Sequence, residues 1–447
     1  MKETEQIEKI SQRHLSPAAW VPTLYFAMGM PLIVINMVCP VMYSKLGISD
    51  GEITFWISLL AWPWTLKFLW SPFLEMYKTK KFFVVATQLI TGIMFGLVAF
   101  ALHLSSFFAI SIAMLAVIAM SGGTHDIAAD GTYMSVLSKE KQKQWIGCQS
   151  AFYNIAKIVA SGGLVYLAGS LIKHFTGDTT GLDEATAAAI KHQSTLTAWI
   201  IIMLVIGCIM IALGVYHYFF LPSTGKSTDG KKNVKEVLEE LLGVFVKFFQ
   251  KKHIIYYIFF VILYRLAEGF VMKIVPLFLI APRASQGLGL TEQEYGLCYG
   301  TCGAAAFVIG SILAGYYITR RGLQKSLFSM AIVFNLPFVV YTFLAIYQPE
   351  SLWLIGSGIA IEYFGYGFGF AGLTLFMMHQ IAPGEHQMAN YACASGFMNL
   401  SIILSGMLSG FVSDALGYRN FFIFVLFFTI PALLITWFVP FTYPDKK

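Results

Sequence analysis

Long apolar runs, broken by short clusters of charged and turn-forming residues, recur along the whole chain. Read in order they predict twelve segments: 17–43, 53–77, 82–104, 107–137, 144–172, 195–221, 253–281, 291–318, 325–347, 351–380, 388–416 and 420–442. A helix needs roughly 20 apolar residues to cross a bilayer core, and each run meets that need. Gly29 and Pro31, Pro63, and Gly122 with Gly123 fall inside predicted helices. Such residues suit membrane helices, where neighbours satisfy the freed backbone groups. The longest connection, 222–252, separates the sixth segment from the seventh and divides the chain into six plus six. Within it Val234, Val237, Leu238, Leu241, Leu242 and Phe245 recur at helical spacing opposite Lys235, Glu236, Glu239 and Glu240. This pattern predicts an amphipathic helix at the membrane surface, with a partner-binding helix as the other reading.

Composition agrees with the pattern. Of 447 residues 57% are hydrophobic, 16% aromatic and only 12% charged, with a mean hydropathy of +0.68. A soluble domain carries about 25% charged residues. The shortage excludes a soluble cytosolic enzyme, a disordered chain and a nucleic-acid-binding module. The fold class predicted is all-α integral membrane. Its parts are a cytoplasmic segment 1–16, a bundle 17–221, a linker 222–252, a bundle 253–442 and a tail 443–447. Met1–Ser16 is mixed in charge and does not read as a cleavable signal peptide. The six cysteines all fall in apolar runs without disulfide or zinc spacing. Cys298 and Cys302 share a helical face and read as buried small hydrophobes. No metal or cofactor is predicted. With no Gly-rich Lys-Ser/Thr loop for ATP phosphates, direct ATP drive is not predicted either.

The net charge of +6 matters through its distribution. With the N-terminus cytoplasmic, 21 Lys and Arg fall in inside loops and five outside. That bias places both termini in the cytoplasm. Four cations remain within the spans, Lys67, Lys157, Arg265 and Lys273, beside the acids Asp126, Asp130, Glu268 and Glu362. Glu75 and Asp414 stand at helix ends. An ionised side chain at the bilayer centre costs about 2.5–3.5 kcal/mol or more, so each has a reason to be there. At a rise of about 1.5 Å per residue, Arg265 lies ~18 Å, Glu362 ~16 Å and Lys157 ~20 Å into their spans, close to the midplane. Arg265 and Glu268, three apart, can pair on one helical face. Lys67 and Asp126 are deep toward the cytoplasmic end, where a bridge between them is either a gate or a static tie. Asp130 and Glu75 read as gate residues with Lys78 or Lys81. Lys273 lies near the outer boundary, where its stem can snorkel. Trp62, Trp64, Trp70, Tyr153, Tyr264 and Tyr363 flank these charges and offer flat faces to a sugar, or simply pack. Asn154 shares a face with Lys157. His125 reads either as a proton sensor or as a hydrogen-bonded structural histidine.

The second predicted span ends in the basic turn Glu75-Met-Tyr-Lys-Thr-Lys-Lys81, and the eighth ends in Gly315-Tyr-Tyr-Ile-Thr-Arg-Arg-Gly322. Such repetition accompanies carriers in which two bundles rock about a central site. These turns, the six-plus-six pattern and Gly410-Phe-Val-Ser-Asp414-Ala-Leu-Gly417-Tyr-Arg419 resemble the major facilitator superfamily. More narrowly, four features resemble the AmpG-type muropeptide permeases and the related acetyl-CoA transporters. They are Leu66-Lys67-Phe-Leu-Trp70-Ser-Pro72, His125-Asp126-Ile-Ala-Ala-Asp130, Leu263-Tyr264-Arg265-Leu-Ala-Glu268 and the region of Glu362. The family usually has Gln where this chain has His125, and its best-known bacterial members carry two further C-terminal spans.

The resemblance implies a monomeric inner-membrane carrier that imports saccharide or muropeptide-type solutes with protons. It places the first, fourth, seventh and tenth spans around a central cavity shared by Arg265 and Glu362. Arg265, Lys157, Asn154, Tyr264, Trp64 and Tyr363 would then contact solute. Glu362, Glu268 or Asp126 would carry the proton, and Lys67, Asp130 and Glu75 would serve the gate. Two rivals remain open at this point: a carrier of acetyl-CoA or another large anion, and a membrane-embedded acyltransferase using His125-Asp126.

Overall fold

The computed structural model of the chain describes residues 16–70, 74, 79–137, 139–223, 234–384 and 387–443. Glu75 and Lys78 lie outside the described residues, as do most of the N-terminal segment and the tail. The described chain is helical, without strands. Among the described residues nine helices are long and apolar enough to cross a membrane. The last of them, Asn390–Trp437, turns at Gly417 (φ 71°, ψ 157°) and comprises the eleventh and twelfth spans. Only glycine adopts that backbone without strain. Two further spans are interrupted: the second runs as Asp50–Leu59 and Trp62–Leu66, and the seventh as Ile254–Tyr264 and Leu266–Ile280. Among the described residues the helices thus account for the twelve passes that the apolar pattern predicts. The linker carries the helix Val234–Phe249.

Two local features depart from the sequence reading. The sixth span begins at Glu184, not near 195. Asp183 caps it, accepting from the Thr186 backbone N–H at 3.0 Å, and the alanines that follow extend the helix. Cys302 is exposed whereas Cys298 is buried. They lie in the π-helical segment Gly296–Gly303, whose wider turn breaks the i,i+4 alignment assumed for the pair. Other π-helical segments interrupt the first span (Val34–Val38), the fifth (Ile158–Leu164) and the tenth (Met377–Ile381).

The chain divides into two compact units. The first comprises Met1–Ile33, Lys67–Lys157 and Ile200–Val234. Its core joins Trp20, Val21, Leu24 and Tyr25 to Val84, Ala128, Ala129, Tyr133 and Leu221. Gly92 and Gly207 let the third and sixth spans meet backbone to backbone, for a β-carbon on Gly92 would lie 2.7 Å from Gly207 O. Close approach over small residues is how helices associate in lipid, where the solvent gives no hydrophobic drive.

The second unit comprises Val34–Leu66, Ile158–Trp199 and Lys235–Lys447. Within it the first, second and fifth spans form a seam with the seventh, eighth and eleventh. A β-carbon on Gly300 would lie 2.5 Å from Gly162 N, and one on Gly406 would lie 2.5 Å from Ser58 Oγ. Asp414 accepts from Gly51 N–H at 3.0 Å, Gln293 donates to Ser170 at 2.8 Å, and Lys45 pairs with Glu292 at 3.6 Å. Exposed apolar residues, suited to lipid contact, include Phe427, Ile430 and Leu434 in this unit and Ile93, Leu97 and Phe100 in the first.

Candidate functional site

Arg265 stands at the break in the seventh span, its backbone (φ −104°, ψ 2°) outside helical geometry. Glu268 follows in the first turn of Leu266–Ile280, where a helix N-terminus favours negative charge. Both side chains are buried. Arg265 Nε and Nη2 donate to the two Glu268 oxygens, each at 2.5 Å, the bidentate fork that guanidinium and carboxylate share. Nη2 also lies 3.5 Å from Tyr366 Oη. The guanidinium carbon sits 5.0 Å from the centre of the Phe370 ring, within cation–π range. Tyr264 is fully buried, its hydroxyl donating to Gly369 O at 3.0 Å.

Glu362, in the tenth span (Leu352–Phe376), is buried and accepts from Tyr341 of the ninth span at 2.9 Å. Tyr363 meets Tyr299 edge to face, ring centres 5.1 Å apart. Tyr366, one turn beyond Glu362, lies 6.3 Å from Tyr363 and 4.9 Å from Phe307. The structure thus gives Arg265 to Glu268, not to Glu362, and joins the two acidic positions through a row of tyrosines. A neutral ion pair, a second carboxylate and an aromatic wall stand together. Such a set can exchange hydroxyl or carboxylate partners, face a sugar ring and hold a proton.

The first unit holds a different polar set. Lys67 Nζ lies 3.3 Å from Asp126 Oδ2, so the bridge that the sequence suggests is present. The Lys67 side chain is 35% exposed and that of Asp126 9%. Asp126 Oδ1 is buried with no partner among the described residues. Asp130 accepts from Tyr25 at 3.0 Å, and Trp70 Nε1 donates to Thr124 at 3.2 Å. His125 belongs to a buried chain: His125 Nε2 to Gln88 Nε2, Gln88 Oε1 to His217 Nδ1, and His217 Nε2 to Thr23, each 2.9 Å. Gln88 donates at one end and accepts at the other, so a single amide joins the two imidazoles. His125 is hydrogen-bonded within the unit. Asn154 and Lys157 are half-buried on the fifth span, just before its π-helical segment.

Trp64 lies in the second unit, buried, with Nε1 unpartnered among the described residues. Lys273 requires a correction. It does not snorkel to a boundary: it is 7% exposed and donates to Asn36 Oδ1 at 2.7 Å. Depth along a helix gives the level of a side chain but not its facing, and Lys273 faces the seam. Sequence reasoning also missed Tyr366, Tyr341, Gln88, His217 and Asn36. Tyr366 was findable one turn from Glu362; Gln88 and His217 were findable as lone polar residues in apolar helices.

A family model described as Major Facilitator Superfamily matches residues 23–389 and, in a second match, 261–447. The chain belongs to that superfamily. This major facilitator resembles an uncharacterized protein of Haemophilus influenzae at 23% identity over 94% of each chain. It resembles the anhydromuropeptide permease of Escherichia coli K12 at 22% identity, over 92% of this chain and 77% of the permease. Among solved structures it is similar to an inward-facing, unoccupied bacterial homolog of the human lysosomal transporter Spinster. That likeness has a TM-score of 0.71 at 14% identity and covers 95% of this chain and 96% of the other. A D-xylose-proton symporter gives a TM-score of 0.68 at 12% identity, covering 94% and 97%. Superfamily membership and twelve passes make the chain a multi-pass membrane transporter of the secondary type.

Proposed function

We propose that this transporter imports saccharide or amino-sugar solutes of the muropeptide type, coupled to protons, by alternating access. The permease among its relatives supports the solute class. The observation that carries the reading is the buried Arg265–Glu268 fork set against Tyr366, Phe370 and the Tyr299–Tyr363–Glu362 row. Arg265 serves a solute carboxylate or hydroxyl by exchanging it for Glu268, while Tyr363 and Tyr264 shape the wall. Glu268 released from Arg265, or Glu362, then carries the proton. In this reading 17–221 and 253–442 act as the two bundles. The linker 222–252 and both termini lie on the cytoplasmic side of the inner membrane, and the monomer is the working form. Lys67, Asp126 and Asp130 serve a gate in the first unit, with Asn154 and Lys157 as a further polar patch there. The seam of the second unit is then the closed outer gate.

The reading is tested with the full chain reconstituted in liposomes. Uptake of labelled saccharides and muropeptides is measured with and without an inward proton gradient. A gradient-stimulated uptake of one of these solutes is expected. Glu362→Gln should lose the stimulation while solute exchange persists; if both survive unaltered, Glu362 does not carry the proton.

A further inference from the structure

Three polar side chains meet inside the seam of the second unit, away from Arg265 and Glu362. Lys273 lies about 10 Å short of the end of Leu266–Ile280, Asn36 about 14 Å from the end of its span, and Ser58 about 12 Å from the start of its own. They are therefore at one level. Lys273 Nζ donates to Asn36 Oδ1, its one hydrogen-bond partner among the described residues, and no carboxylate lies within ion-pair distance of it there. Asn36 sits in the π-helical segment Val34–Val38, a distortion that recurs at functional sites. Ser58 is fully buried, and its Oγ has no hydrogen-bond partner among the described residues. Gly406 faces both: a β-carbon there would lie 2.5 Å from Ser58 Oγ and 3.2 Å from Lys273 Cε. The absent side chain leaves the serine and the lysine side by side.

The donor set decides what is missing. An ammonium offers three N–H groups and a hydroxyl one O–H, yet a single amide oxygen answers them. A cation buried in a span without a counter-charge is costly, and a neutral amide offsets only part of that. The partner that would satisfy both unanswered donors and the charge is an oxyanion.

We propose that Lys273, Asn36 and Ser58 form an oxyanion subsite that receives a carboxylate or phosphate group of the incoming solute when the seam parts. The proposal rests on the alternating-access reading above. In the closed seam Asn36 holds the ammonium. Once the first and second spans separate from the seventh and eleventh, Lys273 faces the entering solute with its charge unmatched. Ser58 adds a hydrogen bond, and Asn36 keeps the ammonium oriented.

The test is equilibrium binding to the purified full chain. The probes are N-acetylmuramic acid, which bears a carboxylate, N-acetylglucosamine 6-phosphate, inorganic phosphate and the neutral N-acetylglucosamine. Lys273→Met is expected to weaken the anionic sugars by about tenfold or more, a loss of about 1.4 kcal/mol, with the neutral sugar unaltered. Lys273→Arg should restore most of the affinity. Ser58→Ala, which removes only one donor, should weaken the same probes about two- to fivefold, and it keeps the test open should Lys273→Met fail to fold. Carboxylate binding without phosphate binding, or the reverse, identifies which oxyanion the subsite takes. Wild-type protein that binds no oxyanion overturns the proposal, as does an equal loss for charged and neutral sugars. Because binding is read without a proton gradient, either result leaves proton-coupled uptake to be judged separately in liposomes.

Discussion

Among the described residues, two ion pairs of this transporter are built on opposite plans. Arg265, at the break in the seventh span, and Glu268, in the first turn after it, are three residues apart on one span, and both are sealed from solvent. Lys67 and Asp126 come from different spans, and the lysine is about a third exposed. A pair formed along one span does not depend on how that span sits against its neighbours, so only a competing partner such as solute or a proton need separate it. A pair between helices reports their separation and is lost when they part. One pair therefore lies along a single span, whereas the other ties two spans together.

The largest expected effect follows from breaking the internal pair. Arg265→Met leaves Glu268 buried and unmatched, at a cost of about 3–5 kcal/mol, with uptake at background. Thermal unfolding in detergent and liposome uptake read both. Adding Glu268→Leu should recover most of the stability but none of the uptake; recovery of both would remove the pair from the mechanism.

Next comes the neutral network of the first unit. Gln88→Leu strips one partner from each of His125 and His217, which should lower stability by about 1–3 kcal/mol. Uptake should fall less than for Arg265→Met. Lys67→Met follows, at about 1 kcal/mol or less, since water already screens the ammonium. A loss as large as that of Arg265→Met would erase the contrast between the two pairs. Tyr366→Phe removes only a 3.5 Å contact, so stability should change by less than about 0.5 kcal/mol, with any effect appearing in solute affinity.

The smallest effect lies outside both regions. Asp183 accepts from the Thr186 hydroxyl and backbone N–H, which holds its carboxyl below the ordinary value. A group depressed in the folded state contributes above its unfolded value of about 3.9 and loses that contribution as pH falls through the folded one. Asp183→Ala should therefore speed amide exchange at Ala185–Ala187 near neutral pH, with the difference vanishing in acid.

Much of the architecture was legible because lipid imposes it. Runs of apolar residues gave all twelve passes, and Arg265 and Glu268 announced their pairing by spacing alone. The break at Arg265 was not legible, because 253–281 reads as one span and neither Gly nor Pro stands at the position where the helix is interrupted. Lys273 misled for a related reason: sequence gives its depth, while its facing depends on the seventh span's rotation toward Asn36. The chain from Thr23 to His125 joins four spans, and no local pattern links residues so far apart.

The glycine contacts at Gly162, Gly296 and Gly300 have one more effect. Where bare main chain touches main chain, no side chains interlock and few rotamers are frozen by contact. Parting such surfaces pulls no knob from its hole, and rejoining them demands no search for the right conformers. The ties that a parting seam must break are instead its polar ones, Gln293 to Ser170, Asp414 to Gly51 N–H and Lys45 to Glu292.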